Sequence, residues 1–156
     1  MGLLNRMGTV ITAKMNKLLE GVEDPRETLD LSYEKQLDLL QNVERGVAEV
    51  TTSKTRLQLQ RTKLVQNGEK LEAQAREAVK ANRDDLAKVA LERKNAIASQ
   101  ITGLDQEIAS LEAEQEKLVN AEKRLSTKIE IFRTKKETIK AQYSAAEAQV
   151  RISESI

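Results

Sequence analysis

The sequence predicts an all-α protein: an N-terminal amphipathic helix followed by a long antiparallel coiled-coil helical hairpin. Three observations carry that expectation. Mostly apolar positions recur every three or four residues from Leu29 through Ala75 to Val79, and again from Leu86 through Ala90, Arg93 and Ile97 to Val150, with a mean step of about 3.6, which is the period of a helix. The stripe is narrow, and Glu, Lys, Arg, Gln, Ser and Thr fill the other faces, so a second helix must cover it. The pattern breaks strongly at one place, Ala81, Asn82, Arg83, Asp84 and Asp85, where a single chain can fold back on itself.

Composition agrees. Of 156 residues, 33% are charged and 2% aromatic, with one proline. Three aromatic rings (Tyr33, Phe132 and Tyr143) are too few for a compact core, and Ala, Glu, Lys, Leu and Arg at helical period read as coiled coil. A formal net charge of +1 gives no global basic field, so no nucleic-acid partner is expected. Cysteine and histidine are absent. That excludes disulfides, Cys or His metal sites, and Cys–His or Ser–His catalysis, and it fits a reducing cytosol. No apolar run approaches the roughly 20 residues needed to span a bilayer, and the start lacks the continuous apolar region of a secretory signal.

Residues 1–22 form the first predicted unit. At 100° per residue, Leu3, Leu4, Met7, Val10, Ile11, Met15, Leu18, Leu19 and Val22 share one half of the wheel. Asn5, Thr9, Thr12, Ala13, Asn16 and Glu20 share the other. Arg6 and Lys17 flank the apolar stripe and Lys14 lies at its edge, where long basic side chains bury their stems and present charge to phosphate. This is the layout of a helix lying in a membrane interface. The same stripe could instead pack on the hairpin or on a neighbouring subunit.

Gly21 releases that helix, and Glu23, Asp24 and Pro25 begin the next. Asp24 suits the N-cap, Pro25 the first helical position, and Glu27 stands in capping-box register. The second predicted unit, residues 23–156, is the hairpin. Its first helix should run from about residue 25 to 80, about 84 Å at 1.5 Å per residue. Gly46 and Gly68 interrupt it, each costing about 1 kcal/mol relative to alanine, and they could permit bending or close approach by another chain. Lys54 and Arg61 fall on the seam, with Glu112 and with Asp105 or Glu107 as candidate partners. Asn82 tolerates the left-handed conformation that ends a helix. Asp84 and Asp85 favour the first turn of the second helix, which should reach about residue 153, about 105 Å. The second helix outruns the first, and Ile139, Tyr143, Ala146, Val150 and Ile152 still carry an apolar stripe there. Another subunit, or a segment beyond this chain, is expected to cover it.

No phosphate-cradling Gly-rich loop is present, and the carboxylates are spread along helix faces rather than gathered in a pocket. No enzyme activity, cofactor or metal is expected. The basic residues Arg133, Lys135, Lys136 and Lys140 read as a solvated face.

Several stretches resemble one family. The opening M-G-L-L-N-R, the spaced A-K-M-N-K-L-L of residues 13–19 and the E-D-P of residues 23–25 resemble phage shock protein A and the vesicle-inducing protein of plastids. A-N-R-D-D-L-A-K-V-A-L-E-R-K (81–94) is similar to that family's turn signature. T-K-K-E-T-I-K-A-Q-Y-S-A-A-E-A-Q (134–149) is similar to the end of its second hairpin helix. The resemblance touches essentially the whole chain and implies a bacterial member of the ESCRT-III-like superfamily. It implies a peripheral protein on the cytoplasmic face of the inner membrane that binds anionic lipids, self-assembles, and protects or remodels the bilayer under envelope stress. It also implies an alternative role, a hairpin that binds and inhibits an AAA+ transcriptional activator. The chain departs from the family pattern in ending soon after the second hairpin helix, before further C-terminal helices, and in carrying Asn82 where glycine is common.

Overall fold

The computed structural model describes residues 24–155. The amphipathic segment, residues 1–22, and Glu23 lie outside the described residues. Two helices account for nearly all the rest: α1, Pro25–Lys80, of 56 residues, and α2, Asp84–Ser155, of 72 residues. They pair as an antiparallel helical hairpin, and there is no strand among the described residues. Both starts match the expectation from capping residues. The end of α2 lies two residues beyond the expected one.

Both predicted boundaries have a physical cause in view. At the start of α1, Asp24 Oδ1 accepts the backbone N–H of Arg26 at 3.0 Å, so an orphan donor of the first turn is satisfied by the N-cap side chain. Pro25 fills the first helical position and is buried. At the end of α1, Asn82 adopts φ 59°. The Asn82 N–H donates to the Val79 carbonyl at 3.0 Å, and the Arg83 N–H to the Ala78 carbonyl at 2.7 Å. Those two bonds are the 5→2 and 6→1 pair of a Schellman cap. The Arg83 carbonyl then accepts the N–H groups of Leu86 and Ala87, both at 3.1 Å, and so starts α2. Only Ala81, Asn82 and Arg83 separate the helices.

Contacts divide the described residues into two units. The turn-bearing unit, residues 46–118, is closed by small side chains. Ala75, Ala87 and Ala90 are buried, whereas Val79 and Leu86 are 56% and 49% exposed. The seam expected from periodicity therefore slips by one residue beside the turn: Ala78 and Ala87 face inward in place of Val79 and Leu86. A three-residue connection joins the helices there, and the inward positions beside it are alanines. Farther from the turn the expected positions return, with Gly68 and Ile108 buried and Leu57, Leu64, Leu71, Ile97, Ile101, Leu104, Leu111 and Leu118 half-buried.

The polar seam positions are paired. Arg61 Nε donates to Asp105 Oδ1 at 2.5 Å, one of the two acidic partners expected for it. Lys54 does not meet Glu112. It donates to Gln115 Oε1 at 3.0 Å, and Gln115 donates in turn to Thr51 Oγ1 at 2.8 Å. Lys54 and Gln115 are both half-buried, so the amide satisfies the ammonium inside the seam. Lys94, half-buried, meets Glu72 at 3.3 Å, while the neighbouring Arg93, expected on the seam, is exposed.

The second unit contains residues 24–45 and 119–155. Leu29, Ile129 and Phe132 are buried, with Leu29 and Phe132 at 0% and 1% exposure, and Tyr33 and Ile139 pack against that pair. Full burial of such a side chain contributes about 1.5–3 kcal/mol. Toward the end of α2, Ile139 and Tyr143 are half-buried rather than bare. The uncovered part of the stripe is Ala146, with Val150 at 57% and Ile152 at 60% exposure.

Candidate functional site at the root of α1

The root of α1 is where the chain leaves residues 1–23 and enters the hairpin, and charge and aromatic groups concentrate there. Arg26 is the central side chain. Its guanidinium bonds the Asp24 carboxylate at 2.8 Å and Glu147 Oε2 at 2.9 Å, and reaches Ser144 Oγ at 3.3 Å. It also stands 5.0 Å from the centroid of the Tyr143 ring, within cation–π range. One residue thus ties the N-cap of α1 to α2 across 121 positions of sequence. The Asp24 carboxyl is held below the usual carboxylate range, first by the Arg26 side chain and then by the Arg26 backbone amide. The Arg26 guanidinium is pushed up, mainly by Asp24. Glu147 is shared, since Arg151 bonds its other oxygen at 2.8 Å.

One turn further in, Lys136 is 6% exposed and charged. A buried ammonium needs partners, and this one has three. Its Nζ donates to Asp30 Oδ1 at 3.1 Å and to Glu137 Oε1 at 2.8 Å, and it lies 4.8 Å from the Tyr33 ring centroid. Lys140 closes the cluster through both Asp30 oxygens, at 3.1 and 3.0 Å. Asp30 is drawn below the usual carboxylate range by Lys140 and then Lys136. Lys136 is raised, chiefly by Glu137, with burial opposing and Asp30 assisting. Glu137 is lowered by Lys136.

These contacts correct the reading of the basic cluster as a solvated face. Lys136 is buried in the seam, Lys140 pairs with Asp30, Arg133 pairs with Glu130, and Lys135 is also engaged. Lys136 and Lys140 bind Asp30 of α1, whereas Arg133 is exposed and pairs within α2.

The predicted site residues divide accordingly. Asp24 accepts the Arg26 N–H at the start of α1 and Pro25 is its first residue. Ala81, Asn82 and Arg83 connect the helices and Asp84 is the first residue of α2; Arg83 also pairs with Asp85 at 3.2 Å and holds that carboxyl low. Leu3, Leu4, Arg6, Met7, Val10, Ile11, Lys14, Met15, Lys17, Leu18, Leu19 and Glu23 lie outside the described residues. Sequence reasoning missed Arg26, Asp30 and Glu147. Their one signal is opposite charge at the two far ends of the seam, and it becomes readable only once the register of the hairpin is fixed. Among the described residues no cluster of acidic residues suits a metal ion, and no helix is long and apolar enough to cross a membrane.

Comparison with known proteins places this architecture. The chain is 28% identical over 152 residues to the chloroplastic membrane-associated protein VIPP1 of Oryza sativa subsp. japonica, covering 97% of this chain and 48% of that protein. It is 30% identical over 153 residues to the membrane-associated protein Vipp1 of Nostoc punctiforme, covering 97% and 59%. It is 26% identical over 154 residues to the phage shock protein A homolog of Bacillus subtilis, covering 97% and 67%. The chain therefore spans about half to two-thirds of the length of these relatives. The model of the PspA/IM30 family matches residues 2–156, which takes in the leading segment, the capped root, the turn and both helices, and the chain belongs to that family.

Proposed function

We propose that this protein is a peripheral membrane-binding, self-assembling member of its family that protects or remodels the bacterial inner membrane under envelope stress, from the cytoplasmic face. One observation carries the reading: an amphipathic leading segment with flanking basic residues precedes a capped hairpin, in a family whose relatives are named membrane-associated. Leu3, Leu4, Met7, Val10, Ile11, Met15, Leu18 and Leu19 insert between headgroups and acyl chains, each fully buried side chain contributing about 1.5–3 kcal/mol. Arg6, Lys14 and Lys17 face anionic headgroups, each adding about 1 kcal/mol near the surface. The Asp24 cap and the Arg26 clamp give the inserted segment a fixed point of departure. Self-assembly is supported by the exposed Val150 and Ile152 on α2, which a second copy can cover.

The test is flotation of the full chain with anionic vesicles. The parent should float, and Ile11→Glu should remain at the bottom of the gradient. Equal flotation of both proteins would defeat the insertion reading.

A second reading is the regulatory one, in which the hairpin binds and restrains an AAA+ transcriptional activator. An open groove beside the turn favours it, lined by Leu71, Ala78, Leu86, Val89 and Ala90 and edged by Arg83 and Arg93. This reading predicts that residues 25–156 alone lower the activator's ATPase rate, whereas the membrane reading requires residues 1–22.

A further inference from the structure

The glycines among the described residues, Gly46, Gly68 and Gly103, all lie inside helices of the turn-bearing unit. Packing requires none of them. A Cβ at Gly46 would stand 3.8 Å from Leu118 Cδ1, and one at Gly68 3.9 Å from Ile97 Cγ2, both ordinary contacts, while one at Gly103 would meet nothing within 4 Å. None has a left-handed φ. Alanine would fit at each position and is the better helix former.

The surrounding seam is thin. Between residues 46 and 64 no side chain of α1 is fully buried, and on the facing stretch of α2, residues 101–118, the buried side chain is Ile108. Three seam positions there, Lys54, Arg61 and Gln115, are polar. Residues 24–45 and 119–155, by contrast, bury Leu29, Ile129 and Phe132.

We propose that residues 46–68 of α1 and 97–118 of α2 are a compliant segment, where the paired helices bend and open locally while the rest of the turn-bearing unit stays closed. Few buried apolar contacts and glycines in place of alanine are the two ingredients of low local stability. The inference concerns the hairpin alone and does not depend on membrane binding.

Amide hydrogen exchange on the full chain tests it. Peptides from residues 46–68 should exchange at least about tenfold faster than peptides from residues 125–139. The triple variant Gly46→Ala, Gly68→Ala, Gly103→Ala should slow exchange in the segment by about fivefold for each glycine replaced in the opening helix. Spin labels at the exposed positions Ala48 and Lys70, about 33 Å apart on a straight helix, should give a distance distribution that narrows in the triple variant. Gly103→Ala alone, which meets no neighbour, should slow exchange near residue 103 without loss of thermal stability. Uniform exchange across the two regions overturns the proposal. So does unchanged exchange in the triple variant, or a lower melting temperature in Gly103→Ala.

Discussion

Removing Asp30 should harm this protein more than removing the buried lysine it pairs with. Asp30→Ala leaves the Lys136 ammonium at 6% exposure with Glu137 and the Tyr33 ring as its remaining partners, and it strips Lys140 of both bonds to Asp30. A hydrogen bond to a charged group contributes about 1.5–3 kcal/mol. The Asp30 side chain is 45% exposed, so water recovers part of that and the lower end applies, about 1.5 kcal/mol. Lys136→Met removes the charge together with its desolvation cost and keeps an unbranched stem against Tyr33. Replacing a buried ion by an apolar side chain is often neutral or stabilising, so the change should stay within about 1 kcal/mol of the parent. The double variant should then be more stable than Asp30→Ala alone. Urea unfolding followed by helical circular dichroism measures all three, at one protein concentration because assembly shifts apparent stability. For a chain of this size about 1.5 kcal/mol corresponds to a shift of about 3–6 °C in melting temperature. The pH dependence carries a sign. Because the folded protein lowers the Asp30 pKa, its contribution is complete above the ordinary value of 3.8 and fades as pH falls through the lower folded value. Parent and Asp30→Ala should therefore converge in acid. Lys136 is raised, so its contribution is complete below 10.5 and is lost as pH rises through the higher folded value. A silent Asp30→Ala beside a damaging Lys136→Met would refute this account of the cluster.

Other outcomes follow from the same contacts. Phe132→Ala, at a side chain 1% exposed against Leu29, should cost about 3–5 kcal/mol in the same unfolding assay. Leu59→Ala, at 61% exposure, should stay within about 0.5 kcal/mol. Asn82→Ala forces a Cβ residue without a local polar side chain into φ 59° and should cost about 1 kcal/mol, whereas Asn82→Gly should be neutral or better. Glu147→Gln, which weakens the bridge from Arg26 to α2, should speed amide exchange in the first turn of α1 and leave the turn around Asn82 unchanged.

The hairpin was legible in the sequence because its seam, caps and turn obey local rules. Asp24–Pro25 and Asn82 mark boundaries through the conformations those residues accept, and the 3.6-residue stripe marks the face. What escaped was long-range. Beside the turn, periodicity favours the larger Val79 and Leu86, but the chain turns the smaller Ala78 and Ala87 inward. Lys54 was expected to seek a carboxylate; the half-buried seam offers it the amide of Gln115 instead. The Arg26–Glu147 and Asp30–Lys136 pairs depend on register accumulated over more than a hundred residues, and no local pattern encodes that.

The proposed function requires the leading segment to meet lipid with one face only. The chain contains no tryptophan, so a single introduced indole reports on its own surroundings. Ile11→Trp, on the apolar half, should shift its emission to the blue on addition of anionic vesicles and be quenched by brominated acyl chains. Asn16→Trp, on the polar half, should keep the emission of an indole in water. Equal spectra at the two positions, or no response at position 11, would contradict it.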